Sequence, residues 1–159
     1  MVQPASTQRV AEAAAELGLD IAIREFPEGT RTAEDAARAI GVSAGQIVKS
    51  LVFVVDGRPV ICFVSGTNRL DTGKLAGIAG ATEVRRADAD AVRAATGYAV
   101  GGVPPFGHAQ ELAVYCDIDL LQYDEVWAAA GTPMSVFAIP PQTLVNACKA
   151  IVADIKESL

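Results

Sequence analysis

Two stretches of the 159-residue chain carry residue types whose placing suggests chemistry. Lys49 stands at the start of an otherwise apolar run, IVKSLVFVV. A lysine at a strand end ordinarily runs its aliphatic stem out to solvent. The alternative is an ammonium turned into a cleft. At neutral pH it would act there as a donor and positive charge for a carbonyl or oxyanion, not as a base. The second stretch is Gly97-Tyr98-Ala99-Val100-Gly101-Gly102-Val103-Pro104-Pro105-Phe106-Gly107-His108. With no Cβ in the way, Gly101 and Gly102 can turn their N–H groups toward a ligand. Pro104 and Pro105 hold themselves and the residues before them extended, so the segment after the glycines is stiff. Such a backbone suits binding a carbonyl oxygen and stabilising developing negative charge. A plain tight loop has the same composition, and composition alone leaves both readings open. His108, the single histidine, is a candidate for a direct role, although a histidine beside a Gly-rich loop is ordinarily a loop or surface residue.

Other patterns carry less. Gly41-Val42-Ser43-Ala44-Gly45 matches G-x-S-x-G, but that motif needs a strand before the serine and a helix after it. A helix is predicted before Ser43, which suits an N-cap better. Thr72-Gly73-Lys74 is like the end of a phosphate-binding loop, yet Asn68 and Leu75 stand where Gly and Ser or Thr are required. No G-x-G-x-x-G follows a predicted strand, and no cofactor is expected. Cys62, Cys116 and Cys148 are scattered and odd in number, so we expect core thiols, with no disulfide framework and no metal site.

The elements that must position these residues come from a chain that is 51% hydrophobic with a mean hydropathy of +0.30, enough for a real core. Aromatics are only 6%, so that core is aliphatic and alanine-based. Length and composition fit one domain spanning residues 1–159. No apolar run reaches the roughly 18 residues of a membrane span. MVQPASTQRVAEAAAELG lacks a basic region followed by an apolar block, so no secretory signal is expected. The economical expectation is a soluble cytoplasmic protein. A net charge of −6 without a basic stripe disfavours duplex nucleic acid, DNA included, while leaving contact with a small part of an RNA open.

Periodicity and caps predict a helix over 6–18 and a strand over 20–26. A second helix starts after Thr32 and closes at Gly41, and Ser43 with Gln46 forms a capping box. VKSLVFVV, Asp56-Gly57 and RPVICFVS read as a β-hairpin that forms the central sheet. Asp71 and Asp88 cap two further helices, ended by Gly80 and Gly97, with TEVRR as a short strand between them. Beyond the glycine loop come a strand in ELAVYCDID, a helix in YDEVWAAAG, a strand in MSVFAIP, a helix from Pro141 and a final strand in AIVADI. This order predicts an α+β fold: a mixed sheet or partly closed barrel surrounded by helices.

The order of these features resembles the YbaK/prolyl-tRNA-synthetase-associated family of trans-editing domains. IVKSLVF with Lys49, ICFVSG leading to NRLDTGKLA, the GYAVGGVPPFGH loop and the tail VNACKAIVADI carry the resemblance, from about Thr32 to Ile155. GGVPP fits that family's G-x-x-x-P loop, and a lysine opening a central strand is its usual functional residue. The resemblance implies hydrolysis of a mischarged aminoacyl-tRNA, most often proline tRNA bearing a small non-cognate amino acid. Its partners would be the tRNA acceptor end and a cognate synthetase. Lys49 would hold the carbonyl or terminal ribose, and N–H groups near Gly101 and Gly102 would stabilise the oxyanion. A water or a substrate hydroxyl or thiol would attack. Ser65, Thr67 and Asn68 at the hairpin end, with turn formation and helix capping as their default reading, are substrate-binding candidates together with Val103, Pro104, Pro105 and His108 in the loop. Asp117 and Asp119 are candidates for the amino group, with solvated carboxylates as the default reading. Arg69 and Lys74 are candidates for RNA phosphates, or equally exposed charges with no partner. A catalytically silent tRNA- or synthetase-binding module of the same fold is the alternative, and a general small-ester hydrolase a weaker one.

Overall fold

The structure is a computed structural model that describes residues 5–26 and 32–158. The first four residues of the leader reading, and the outermost residues of the single-domain range, lie outside the described residues. Along the chain run α1 (Ala5–Glu16), β1 (Arg24–Glu25), α2 (Ala33–Ile40), β2 (Val48–Val55), β3 (Arg58–Ser65), α3 (Thr72–Ala79) and β4 (Val84–Arg86). They are followed by α4 (Ala89–Thr96), β5 (Ala113–Asp117), β6 (Val126–Ala129), β7 (Ser135–Ile139), α5 (Pro141–Cys148) and β8 (Ile151–Ala153).

The hairpin forms where its turn chemistry directs. Asp56 and Gly57 both adopt positive φ, 47° and 82°, the left-handed pair whose twist suits a two-residue hairpin loop. β2 and β3 then pair in register from Val48 opposite Ser65 to Val55 opposite Arg58. β5 joins β3 in parallel and β8 joins β5, so the five-stranded sheet runs β4-β2-β3-β5-β8. A second, antiparallel sheet runs β1-β7-β6 and meets the first where Ile47 bridges Trp127. Among the described residues neither sheet closes on itself, so the mixed-sheet arm of the expectation holds and the barrel arm does not.

Alternation along β2 sorts its side chains to two cores. Val48, Val52 and Val54 join the main core with Phe63, Tyr98, Val103, Val126 and Phe137, between the two sheets. Phe53 and Val55 pack on the other face with Cys62, Val64, Leu75 of α3 and Ile155. Local capping directs the helices as expected: Thr32, Asp71 and Asp88 accept from backbone N–H groups three residues on, and Gly41, Gly80 and Gly97 take left-handed C-cap conformations.

One element departs from expectation. The helix read in YDEVWAAAG is instead β6, paired antiparallel with β7 from Val126 opposite Ile139 to Ala129 opposite Val136. Its alanines favour a helix locally, but Val126, Trp127 and Ala128 are buried between partners, and tertiary pairing overrides propensity. The strand read over 20–26 shortens to Arg24–Glu25, the two residues that meet β7. No described helix is long and apolar enough to cross a membrane.

Candidate active site

A cavity of about 460 Å³ opens beside the first half of β2. β3 covers one edge of β2 throughout, whereas β4 pairs with the other edge only from Phe53 to Val55. From Lys49 to Leu51 that second edge has no strand partner among the described residues, and these residues line the cavity. An unpaired edge offers backbone donors and acceptors to a ligand as it would to another strand. The start of α2, the Val100–Val103 loop, Trp127–Ala129 and the Pro133–Val136 segment supply the remaining walls.

Lys49 lines this cavity, but its side chain leaves β2 on the face opposite Val48 and Val52. Its ammonium donates to the backbone carbonyl of Asn68. Burial draws the Lys49 pKa below the ordinary lysine value; Glu34 opposes that shift, and Arg69 and Arg86 add to it. An ammonium has three donors, so two remain for a ligand.

Gly101 also lines the cavity, with φ +92°. Its N–H has no acceptor among the described residues. Gly102 differs: its N–H donates to the Ala99 carbonyl at 3.0 Å, closing a turn, and is not free for a ligand. Gly102 is required for another reason, because a Cβ there would lie 2.9 Å from Thr132 Cα.

Of the substrate-binding candidates, Val103 lies on the cavity wall. The others do different work. Ser65 Oγ donates to the Gly45 carbonyl at 2.7 Å and lies 3.3 Å from Thr67 Oγ1, while Asn68 Nδ2 donates to Asp119 at 2.8 Å. These three side chains tie down the loop whose Gly66 lines the cavity. Pro104 and Pro105 are buried, and His108 Nε2 donates to the Pro104 carbonyl at 2.7 Å, bracing the loop from behind. Burial lowers the His108 pKa below its ordinary value, and the bond to Pro104 opposes the shift.

Asp117 corrects the expectation of a solvated carboxylate: it is fully buried, accepting from Ile155 N at 2.9 Å and Asp119 N at 3.3 Å. Asp119 pairs with Lys156 at 3.3 Å. Arg69 and Lys74 lie against Glu157 and Asp154, at 3.7 and 3.1 Å.

Several cavity residues escaped the sequence. Ser50 is buried at its Oγ with no partner, as is the Trp127 Nε1. Glu34 and Arg86 bring charge to the walls. Outside the cavity lining, Arg24, exposed and without a carboxylate partner among the described residues, stacks over Phe26 at 5.1 Å and over the lining residue Trp127 at 5.4 Å. Ser50 alone had a local signal, a hydroxyl in a β-branched run next to Lys49. No thiolate is at hand, since burial pushes Cys62, Cys116 and Cys148 to about 12.

The aminoacyl-tRNA editing domain model matches residues 27–147. A crystal structure described as a candidate trans-editing enzyme for prolyl tRNA synthetase superposes with a TM-score of 0.94 at 46% identity, over 99% of this chain and 100% of that one. EbsC of Enterococcus faecalis, a candidate Cys-tRNA(Pro)/Cys-tRNA(Cys) deacylase, is 29% identical over 131 residues, 82% of this chain and 80% of its own. A proline–tRNA ligase of Nitratidesulfovibrio vulgaris is 38% identical over 100 residues, covering 62% of this chain but only 17% of the ligase.

Proposed function

Because the chain belongs to the aminoacyl-tRNA editing domain family, we propose that it hydrolyses the ester of mischarged aminoacyl-tRNA in trans, its substrate being proline tRNA bearing a small non-cognate amino acid. The observation that supports this reading is that Lys49 and Gly101, whose N–H has no acceptor among the described residues, both line one cavity along the unpaired edge of β2. A volume of about 460 Å³ lies within the roughly 300–1,000 Å³ of small-molecule sites.

The ester carbonyl oxygen lies toward the Gly101 N–H and the Lys49 ammonium. A water attacks the carbonyl carbon, and both donors hold the negative charge that develops on the oxygen. Collapse breaks the bond to the ribose oxygen, which takes up a proton as the attacking water gives one up, leaving free amino acid and tRNA. A side-chain hydroxyl or thiol of the substrate can replace the water, its proton going to the departing ribose oxygen and the amino acid leaving as a cyclic lactone or thiolactone. A serine nucleophile lacks a base: Ser50 Oγ has no partner and Ser135 Oγ pairs with Thr132 Oγ1 at 2.7 Å. An aminoacyl ester is activated enough for positioning and electrostatics to suffice. Arg24 and Arg86 meet phosphates of the acceptor end, taking the part that the sequence offered to Arg69 and Lys74.

The test compares release of amino acid from charged tRNA with hydrolysis of a small model ester by the same protein. Fast release from tRNA with little action on the ester supports the proposal. Comparable rates on both make it a general esterase. Tight binding of charged tRNA without release makes it a silent binding module.

A further inference from the structure

An aminoacyl ester brings two polar groups to a deacylase site, a carbonyl that seeks positive charge and an α-ammonium that seeks negative charge. Lys49 and the Gly101 N–H answer the first. The second is answered in the same cavity. Glu34, in the first turn of α2, is the one carboxylate among the described lining residues. No hydrogen bond or ion pair engages it among the described residues, whereas its neighbour Asp35 pairs with Arg38 at 3.8 Å. Glu34 is also close enough to Lys49 to act on it electrostatically. Much of the remaining wall is aliphatic, with Val48, Leu51, Val103, Ala128 and Ala129. Glu34 is solvent-exposed, so its carboxylate is open to an incoming cation and holds only water until one arrives.

We propose that Glu34 receives the α-ammonium of the aminoacyl group, so that the site selects esters of free amino acids. This assignment rests on the deacylase reading above. It sets the orientation of the substrate: α-carbon between Glu34 and Lys49, carbonyl toward Gly101, side chain against the aliphatic wall.

The test is a cycle of enzyme against substrate. Alanyl-tRNA(Pro) and lactyl-tRNA(Pro), in which a hydroxyl of similar size replaces the α-ammonium, are each deacylated by the wild type and by Glu34→Gln. The intrinsic difference in ester reactivity cancels in the ratio of ratios. Glu34→Gln is expected to lower kcat/KM for the alanyl ester about 10- to 100-fold more than for the lactyl ester, the worth of a hydrogen bond between charged groups. Equal loss on both esters would mean that Glu34 acts through Lys49 or the fold, and would overturn the assignment. So would no loss on either. If the wild type cleaves neither ester, the deacylase reading falls and the assignment with it. Cleavage of both with an unchanged ratio in Glu34→Gln removes the assignment alone.

Discussion

Gly102→Ala probes how the loop is held. Gly102 lies in a stack of backbone layers: its added Cβ would lie 2.9 Å from Thr132 Cα and 3.0 Å from Gly131 O. The layer behind has little room to yield, because a Cβ on Gly131 would lie 2.7 Å from Ser6 O at the start of α1. Carbon contacts settle at about 3.5–4.0 Å, so the loop must retreat by roughly 0.6–1 Å, carrying the Gly101 N–H with it. Overpacking of this kind costs about 1–3 kcal/mol. At about 2–4 °C per kcal/mol for a domain of this size, the melting midpoint falls by roughly 2–12 °C. A reacting group misplaced by about 1 Å costs on the order of 100-fold in turnover. Gly80→Ala is the matched control. Its φ of +66° imposes left-handed strain of about 1–2 kcal/mol, but its Cβ meets nothing within 4 Å and it lies outside the cavity lining. Thermal unfolding and single-turnover deacylation of both variants read the outcome. The reasoning fails if Gly102→Ala unfolds and turns over like the wild type, or if it loses stability and keeps full turnover as Gly80→Ala should.

Three other perturbations follow from the same geometry. Ser50→Ala removes a buried hydroxyl of the cavity lining that has no partner in the protein and that a bound substrate can engage. The variant should therefore be at least as stable as the wild type, while deacylation falls about 2- to 10-fold through loss of that one neutral hydrogen bond. A less stable Ser50→Ala would show that the hydroxyl is satisfied in the folded protein. Burial depresses the His108 pKa in the folded state, so the unfolded chain takes up that proton first. The His108 contribution is thus fully present above the ordinary value of 6.5 and is lost as the pH falls from there through the lower folded value. His108→Gln should flatten this acid limb in urea unfolding, and superimposable pH profiles would contradict it. Arg24→Ala should raise KM for charged tRNA and reduce the salt slope by about 0.7, the share of one phosphate contact on a single strand. An unchanged slope would remove Arg24 from the RNA contact.

Where structure is fixed by neighbours in sequence, it was legible. The caps at Thr32, Asp71 and Asp88, the glycines that end their helices, and the Asp56-Gly57 turn all lie where local chemistry puts them. β6 was not legible, because alanine-rich Val126–Ala129 becomes a strand only through β7, which lies beyond it in the chain. The site divides in the same way. Lys49 and Gly101 stood out by residue type, and both reach the cavity. Ser65, Thr67 and Asn68 carried the right polarity at a strand end, yet Gly45 and Asp119, distant in sequence, draw their side chains into the loop scaffold. Glu34 and Trp127 become site residues only when α2 and β6 fold against β2, and no local pattern marks them.

The most direct measurement is release of amino acid from proline tRNA charged in turn with Ala, Ser, Cys, Thr and Pro, by the wild type and by Lys49→Ala. The account predicts release of one or more small non-cognate amino acids with prolyl-tRNA spared. Lys49→Ala should be slower by about 100-fold or more, as for loss of one oxyanion donor, with an unchanged unfolding midpoint to within a few degrees. Equal release from all five, or release by Lys49→Ala at the wild-type rate, would contradict it.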